Sequence, residues 1–286
     1  MSPDLSRFDT RLVPARADLA AAHLRDEVDA PRFVKGAPMR VTAPLADLTL
    51  VPDPAAMLAT QLISGEPFTV YETRPDGLSW GQSGRDGYVG YVASDALGPA
   101  RENGARITAL RSHVYRAPTL KARVTGALPF LADIEAGARH GGFVAVPGGF
   151  VPAPHLDPVA GDMVDQALRL LGVPYLWGGR SAEGLDCSAL VQLAMAAAGL
   201  EAPRDSDMQE ALLGRALPVD APGERGDLVF WKGHVGILVD AETLLHANAT
   251  HMAVACEPLD GAIARIAAAG DGGVTGRRRL PARAAA

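Results

Sequence analysis

The sequence predicts an α+β chain, two small all-β blocks followed by a mixed domain of a few helices and a sheet. Three observations carry this. Short apolar runs broken by turn residues such as Asp76-Gly77 and Asp86-Gly87 fill the region from about 38 to 154. Further on, a longer apolar run, Ala189 to Ala198, ends at Gly199, the residue type favoured just past a helix end. After it, Lys232 to Asp240 and Thr243 to Ala247 read as two strands around the turn-like Asp240-Ala241-Glu242.

With 286 residues the chain has room for two or three domains. Its 48% apolar content is ordinary for a globular protein. A formal net charge of −6 argues against nucleic acid or anionic membrane as a partner. No apolar run reaches the ~18 residues that span a bilayer. Residues 1–29 carry scattered charges, Arg7, Asp9, Arg11, Arg16 and Asp18 among them, and do not read as a secretory signal. Two cysteines, Cys187 and Cys256, do not make a disulfide framework. The expectation is a cytoplasmic, monomeric protein, since a reducing compartment suits a working thiol.

Taken in order, residues 1–37 form an arm with a helix expected over 15–28, its Asp18, Arg25, Asp26 and Glu27 on a solvated face. The first β block, 38–98, holds strands around 39–41, 48–50, 67–71, 78–82 and 88–92. The second, 99–156, repeats the pattern loosely around 105–108, 114–115, 126–130, 142–146 and 149–152. Pro152, Pro154 and Pro158 mark the linker into a catalytic domain over 157–286.

Chemistry concentrates in that last domain. Cys187 follows Gly184-Leu185-Asp186 and opens the apolar helix, so it sits in the first helical turn. The positive end of the helix dipole there favours thiolate over thiol, and a lowered thiol pKa is expected. In a hairpin turning at 240–242, paired positions sum to about 480 to 482, which brings His234 opposite or next to His246. With the Cys187 helix packed across that face, the three residues form a relay of nucleophile, base and orienting group. Cys256 has no comparable context.

Residues 157–255 resemble the NlpC/P60 family of cell-wall cysteine peptidases, a branch of the papain-like fold. The likeness rests on six stretches in order: Leu171 to Gly179, Leu185 to Val191, Pro203 to Ser206, Gly226 to Trp231, Gly233 to Ile237, and Leu245 to Ala247. One departure is Ala189, where the family usually has glycine. The first β block resembles a bacterial SH3 domain, most specifically in Asp86 to Val92 followed by Ala96-Leu97, and the second reads as a degenerate SH3-like barrel.

The resemblance implies hydrolysis of the γ-D-glutamyl-diamino acid bond in peptidoglycan stem peptides, with Cys187, His234 and His246 at the catalytic positions. It implies Tyr175 as a phenol donor to the oxyanion. It also implies a substrate pocket from Tyr88 of the first SH3 block and Asp186, Ser188, Asp205 and Ser206, receiving the free amine of an N-terminal L-alanine. Asp53 is a further acidic candidate there. Asp186, Asp205 and Ser206 equally suit helix caps. The same Cys-His-His geometry supports acyl transfer, so an acyltransferase or amidase on a non-wall substrate stays open, as does a non-catalytic wall-binding SH3 protein. No zinc spacing and no phosphate loop are present, so no metal or other cofactor is expected.

Overall fold

The computed structural model describes residues 7–53, 55–101 and 104–281. The outer ends of the expected arm and catalytic domain, 1–6 and 282–286, lie outside them. The chain divides into two compact units, Met1–Asp157 and Pro158–Ala286.

In the first unit, a seven-stranded antiparallel sheet is built from Ala37–Val41, Leu45–Thr49, Leu58–Ile63, Pro67–Thr73, Leu78–Ser83, Val89–Ala93 and Leu97–Pro99. The strand at 58–63 was not among those expected. Alternation places Leu48, Leu62, Phe68 and Val92 in one apolar core. Gly77 and Gly87 sit in the left-handed region, at φ of 85° and 77°, and make the two turns marked by Asp-Gly. A second, five-stranded sheet runs in the order 124–129, 111–115, 149–152, 143–146 and 139–140.

The helix expected over 15–28 does not form. Ala15–Arg16 pairs antiparallel with Leu19–Ala21, which pairs parallel with Phe33–Val34, and only a single 3-10 turn follows at Ala22–Leu24. Leu19, Ala20 and Ala21 are fully buried in a cluster with Tyr71, Trp80 and Tyr91. Arg16 stacks over Trp80 at 4.7 Å and pairs with Asp18 and Glu72. An isolated helix of this length is marginal in water, and burial against the aromatic face outweighs alanine's helix propensity.

The second unit places helices against one sheet. Its elements are α1 (Met163–Leu168), β1 (Arg180–Ser181), β2 (Gly184–Leu185), α2 (Cys187–Ala197), α3 (Ser206–Leu212), β3 (Arg215–Leu217), β4 (Leu228–Trp231), β5 (His234–Leu238), β6 (Thr243–Asn248), β7 (Ala253–Pro258), α4 (Leu259–Ala268) and β8 (Gly276–Arg279). The six-stranded sheet runs β3-β8-β4-β5-β6-β7, and every neighbouring pair is antiparallel. Val229, Trp231, Leu238 and Leu244 from the sheet form one core with Ala262 and Ile266 of α4. α2 packs on β5 and β6.

Candidate active site

Asp186 is the N-cap of α2. Its carboxylate accepts from the backbone N–H of Ala189 at 2.9 Å, leaving Cys187 as the first helical residue. The same carboxylate accepts from Gly178 N–H at 3.0 Å, from the Ser188 hydroxyl at 3.1 Å, and from both Arg204 nitrogens at 3.0 and 2.6 Å. Arg204 is 1% exposed and also donates to Ser188 Oγ at 2.8 Å. Gln209 of α3, fully buried, donates to the carbonyls of Ser188 and Pro203. These bonds fix the first turn of α2, and with it the sulfur of Cys187. An ammonium group reaching Asp186 or Ser188 would compete with the Arg204 guanidinium.

The hairpin comes out in the expected register. Ile237 pairs with Leu245 and Leu238 with Leu244, sums of 482. The register therefore sets Gly236 beside His246, with His234 one pleat further along the same face. His234 Nε2 and His246 Nδ1 are 2.8 Å apart. Gly236 leaves room beside them: a Cβ there would stand 2.6 Å from Leu244 Cδ1 and 3.2 Å from His246 Cβ. Behind His246, whose side chain is fully buried, its Nε2 lies 2.7 Å from Glu257 Oε1 on β7. Arg265 of α4 in turn donates to Glu257 and, at 2.8 Å, to Thr250 Oγ1.

The resting protonation state differs from the thiolate expected of a helix N-terminus. Burial pushes the Cys187 thiol up to about 12, and the neighbouring Asp186 carboxylate adds to this; a hydrogen bond from Val235 N–H and the charge of Arg204 oppose it. Burial also drives His234 down to about 3, with His246 adding to the shift. His246 is lowered as well, chiefly by burial, against the pull of Glu257. Desolvation of the site outweighs the helix dipole, so thiol and imidazoles rest neutral. Tyr175, half-buried, is held protonated by burial and then by Cys187, its pKa pushed up to about 12, and is available as a hydroxyl donor.

Asp205 occupies the N-cap position of α3, where its side chain makes no capping bond, and Ser206 is the first helical residue; both are half-buried. Tyr88 belongs to the apolar core of the seven-stranded sheet and is 4% exposed, much like Tyr71 and Tyr91. Asp53 is exposed and accepts from Ala55 N–H. Cys256 is an exposed free thiol on β7. Among the described residues, no group of three or more His, Cys, Asp or Glu is placed to hold a metal ion. Arg204, Gln209, Glu257 and Arg265 are the site residues that sequence reading did not single out. For Glu257 a signal existed: two residues beyond Ala255, the partner of His246, it shares the histidine's face.

Residues 172–269 match the model of the NlpC/P60 family, and residues 51–97 that of the bacterial dipeptidyl-peptidase SH3 domain. The chain thus combines an NlpC/P60 domain with a bacterial SH3 domain of the dipeptidyl-peptidase type. It is 37% identical over 108 residues to a γ-D-glutamyl-L-lysine dipeptidyl-peptidase of Bacillus subtilis, covering 35% of this chain and 36% of that one. It is 33% identical over 87 residues to a dipeptidyl-peptidase 6 of Lysinibacillus sphaericus, covering 30% and 32%. The matched stretch thus spans about a third of these curated relatives. In fold, the chain is similar to a crystal structure of an NlpC/P60 family protein from Bacillus cereus, with a TM-score of 0.70 and 20% identity over 86% of this chain and all of that one.

Two predictions follow from the charges of the site. Replacing Arg204 with Ala leaves the buried Asp186 carboxylate without its counter-ion, which costs about 3–5 kcal/mol. Urea denaturation followed by circular dichroism should show that loss in the catalytic unit, and a change below about 1 kcal/mol would contradict the buried pair.

The second concerns pH. Unfolded histidine takes up a proton below about 6.5, whereas folded His234 resists until about 3. Its contribution to stability is therefore complete above 6.5 and lost as pH falls towards 3. Cys187 has the opposite sign: its contribution is complete below the usual thiol value of 9 and lost as pH rises towards 12. The melting temperature of the wild type relative to Cys187→Ala should thus be flat at neutral pH and fall on the alkaline side. A flat difference throughout would mean that the thiol is not desolvated.

Proposed function

We propose that the protein is a cysteine peptidase that hydrolyses the γ-D-glutamyl-diamino acid amide bond of peptidoglycan stem peptides bearing a free N-terminal L-alanine. The observation that carries this reading is the hydrogen-bonded pair His234–His246 on the adjacent strands β5 and β6, against which α2, opened by Cys187, packs. A neutral imidazole beside a neutral thiol supports general-base generation of the nucleophile during attack, with no standing thiolate needed.

Cys187 Sγ attacks the γ-carbonyl carbon of D-glutamate while its proton passes to His234. The oxyanion that forms accepts a hydrogen bond from the Tyr175 hydroxyl. His234 then gives the proton to the departing amine of the diamino acid, and the C–N bond breaks. Water, deprotonated by His234, attacks the thioester and releases L-alanyl-D-glutamate with the thiol restored. His246 orients His234 and shares the charge that appears on it.

Support for the substrate comes from the matched relatives, two of which carry the name dipeptidyl-peptidase. An enzyme of that kind releases a dipeptide from a free amino end. The occupied oxygens of Asp186 shift the expected ammonium acceptors towards Asp205 and Ser206 of the same unit. A pocket of acceptors rejects an acetylated amine by factors of up to ~10⁴, because the acceptors are left unpaired.

The test is hydrolysis of L-Ala-γ-D-Glu-diaminopimelate and of its N-acetylated form, followed by mass spectrometry. The free tripeptide should be cut to L-Ala-D-Glu plus diaminopimelate, the capped one much more slowly, and Cys187→Ala should lose more than ~10³-fold of the activity. Equal rates on both substrates would sink the free-amine requirement. Full activity of Cys187→Ala would sink the mechanism.

A further inference from the structure

Glu257 is not part of the Cys-His-His relay, yet its carboxylate ends the hydrogen-bonded chain that starts at His234. The chain can be read one proton at a time. Glu257 accepts from Arg265 and is partly buried, with 14% of its side chain exposed. Burial pushes its carboxyl up, but the hydrogen bonds from Arg265 and His246 more than offset this, and the net shift is downward. Glu257 is therefore an acceptor only. The 2.7 Å contact with His246 Nε2 then requires the proton to be on Nε2. A neutral imidazole carries one N–H, so His246 Nδ1 is bare. His246 Nδ1 thus accepts, at 2.8 Å, from His234 Nε2–H. His234 in turn has one N–H, now assigned, and its Nδ1 is the free lone pair.

We propose that Glu257, anchored by Arg265, is a positioning residue that fixes the tautomers of both histidines and thereby makes His234 Nδ1 the base that takes the Cys187 proton. The proposal rests on the reading of His234 as general base, but its core, the tautomer assignment, stands on the hydrogen-bonded chain and the acceptor-only carboxylate that ends it. When His234 gains the proton, the positive charge is shared through His246 with a carboxylate two hydrogen bonds away. Arg265 keeps that carboxylate from accepting the proton itself. The groups that face Glu257 are His246 from β6 and Arg265 from α4, while His251, in the turn after β6, acts on His246. Cys187 is faced by Asp186, Arg204 and Tyr175.

The test uses no peptide substrate, so its failure is distinguishable from failure of the proposed activity. Nitrogen-15 NMR of the imidazoles in the full-length wild type should find His234 and His246 both protonated at Nε2. Protonation of His246 at Nδ1 would overturn the proposal, whatever any variant does. Alkylation of Cys187 by iodoacetamide across pH supplies the second readout. Glu257→Gln, near-isosteric but uncharged, should slow alkylation at neutral pH by about 10- to 100-fold and move its rising limb to higher pH. Glu257→Asp, which keeps the charge, should recover part of the rate. A Glu257→Gln protein with an unshifted limb and a rate within about 2-fold of wild type would overturn it. If that variant does not fold, the wild-type tautomers decide alone.

Discussion

The 2.8 Å hydrogen bond between His234 and His246 is the contact on which the site depends. Three of the four ring nitrogens of these two imidazoles are hydrogen-bonded, and leaving one of those three unmet away from water would cost more than the bond is worth. The antiparallel register of β5 and β6 brings the two rings to one face, and Gly236 removes a side chain that would crowd Leu244 and His246. Glu257 satisfies the nitrogen at the far end. The sheet pairing, the missing Cβ and the carboxylate behind it thus serve one requirement, that two buried imidazoles be held together with their nitrogens paired.

The opposite side of the site follows a different logic. There the charges are real and are neutralised in pairs. Asp186 caps α2 and is gripped bidentately by Arg204, whose guanidinium also reaches Ser188, and Gln209 ties α3 to the same turn. A buried pair of this kind is poor evidence for net stability, but it fixes geometry, since moving either partner leaves a naked charge. Its electrostatic effect on Cys187 is secondary to burial, which together with the Asp186 carboxylate holds Cys187 as a thiol. In the proposed mechanism the thiolate forms only as the proton leaves for His234.

Much of this was legible in the sequence. Gly199 marked the helix end, Asp76-Gly77 and Asp86-Gly87 marked two turns, and the spacing of His234 and His246 about residues 240–242 gave the hairpin register. Those signals are local or depend on one short loop. Arg204, Glu257 and Arg265 escaped because their roles depend on where α3, β7 and α4 land, and a charged residue in a sequence looks the same whether its partner is water or a buried carboxylate. The arm misled for a related reason. Leu19-Ala20-Ala21 has good helix formers, but its conformation is set by Tyr71, Trp80 and Tyr91, which lie fifty to seventy residues away along the chain. The expected thiolate failed because a dipole argument read from sequence contains no information about desolvation.

The most direct measurement of the central claim is to catch the covalent intermediate. The full-length protein mixed with L-Ala-γ-D-Glu-diaminopimelate, quenched in acid during turnover and digested for mass spectrometry, should carry an L-alanyl-γ-D-glutamyl group on the peptide containing Cys187. A slow-hydrolysis variant at His234 should not accumulate it, because the same imidazole is needed to form the thioester. Turnover with the acyl group on another residue, or acylation of Cys187 that proceeds undiminished without His234, would contradict the account.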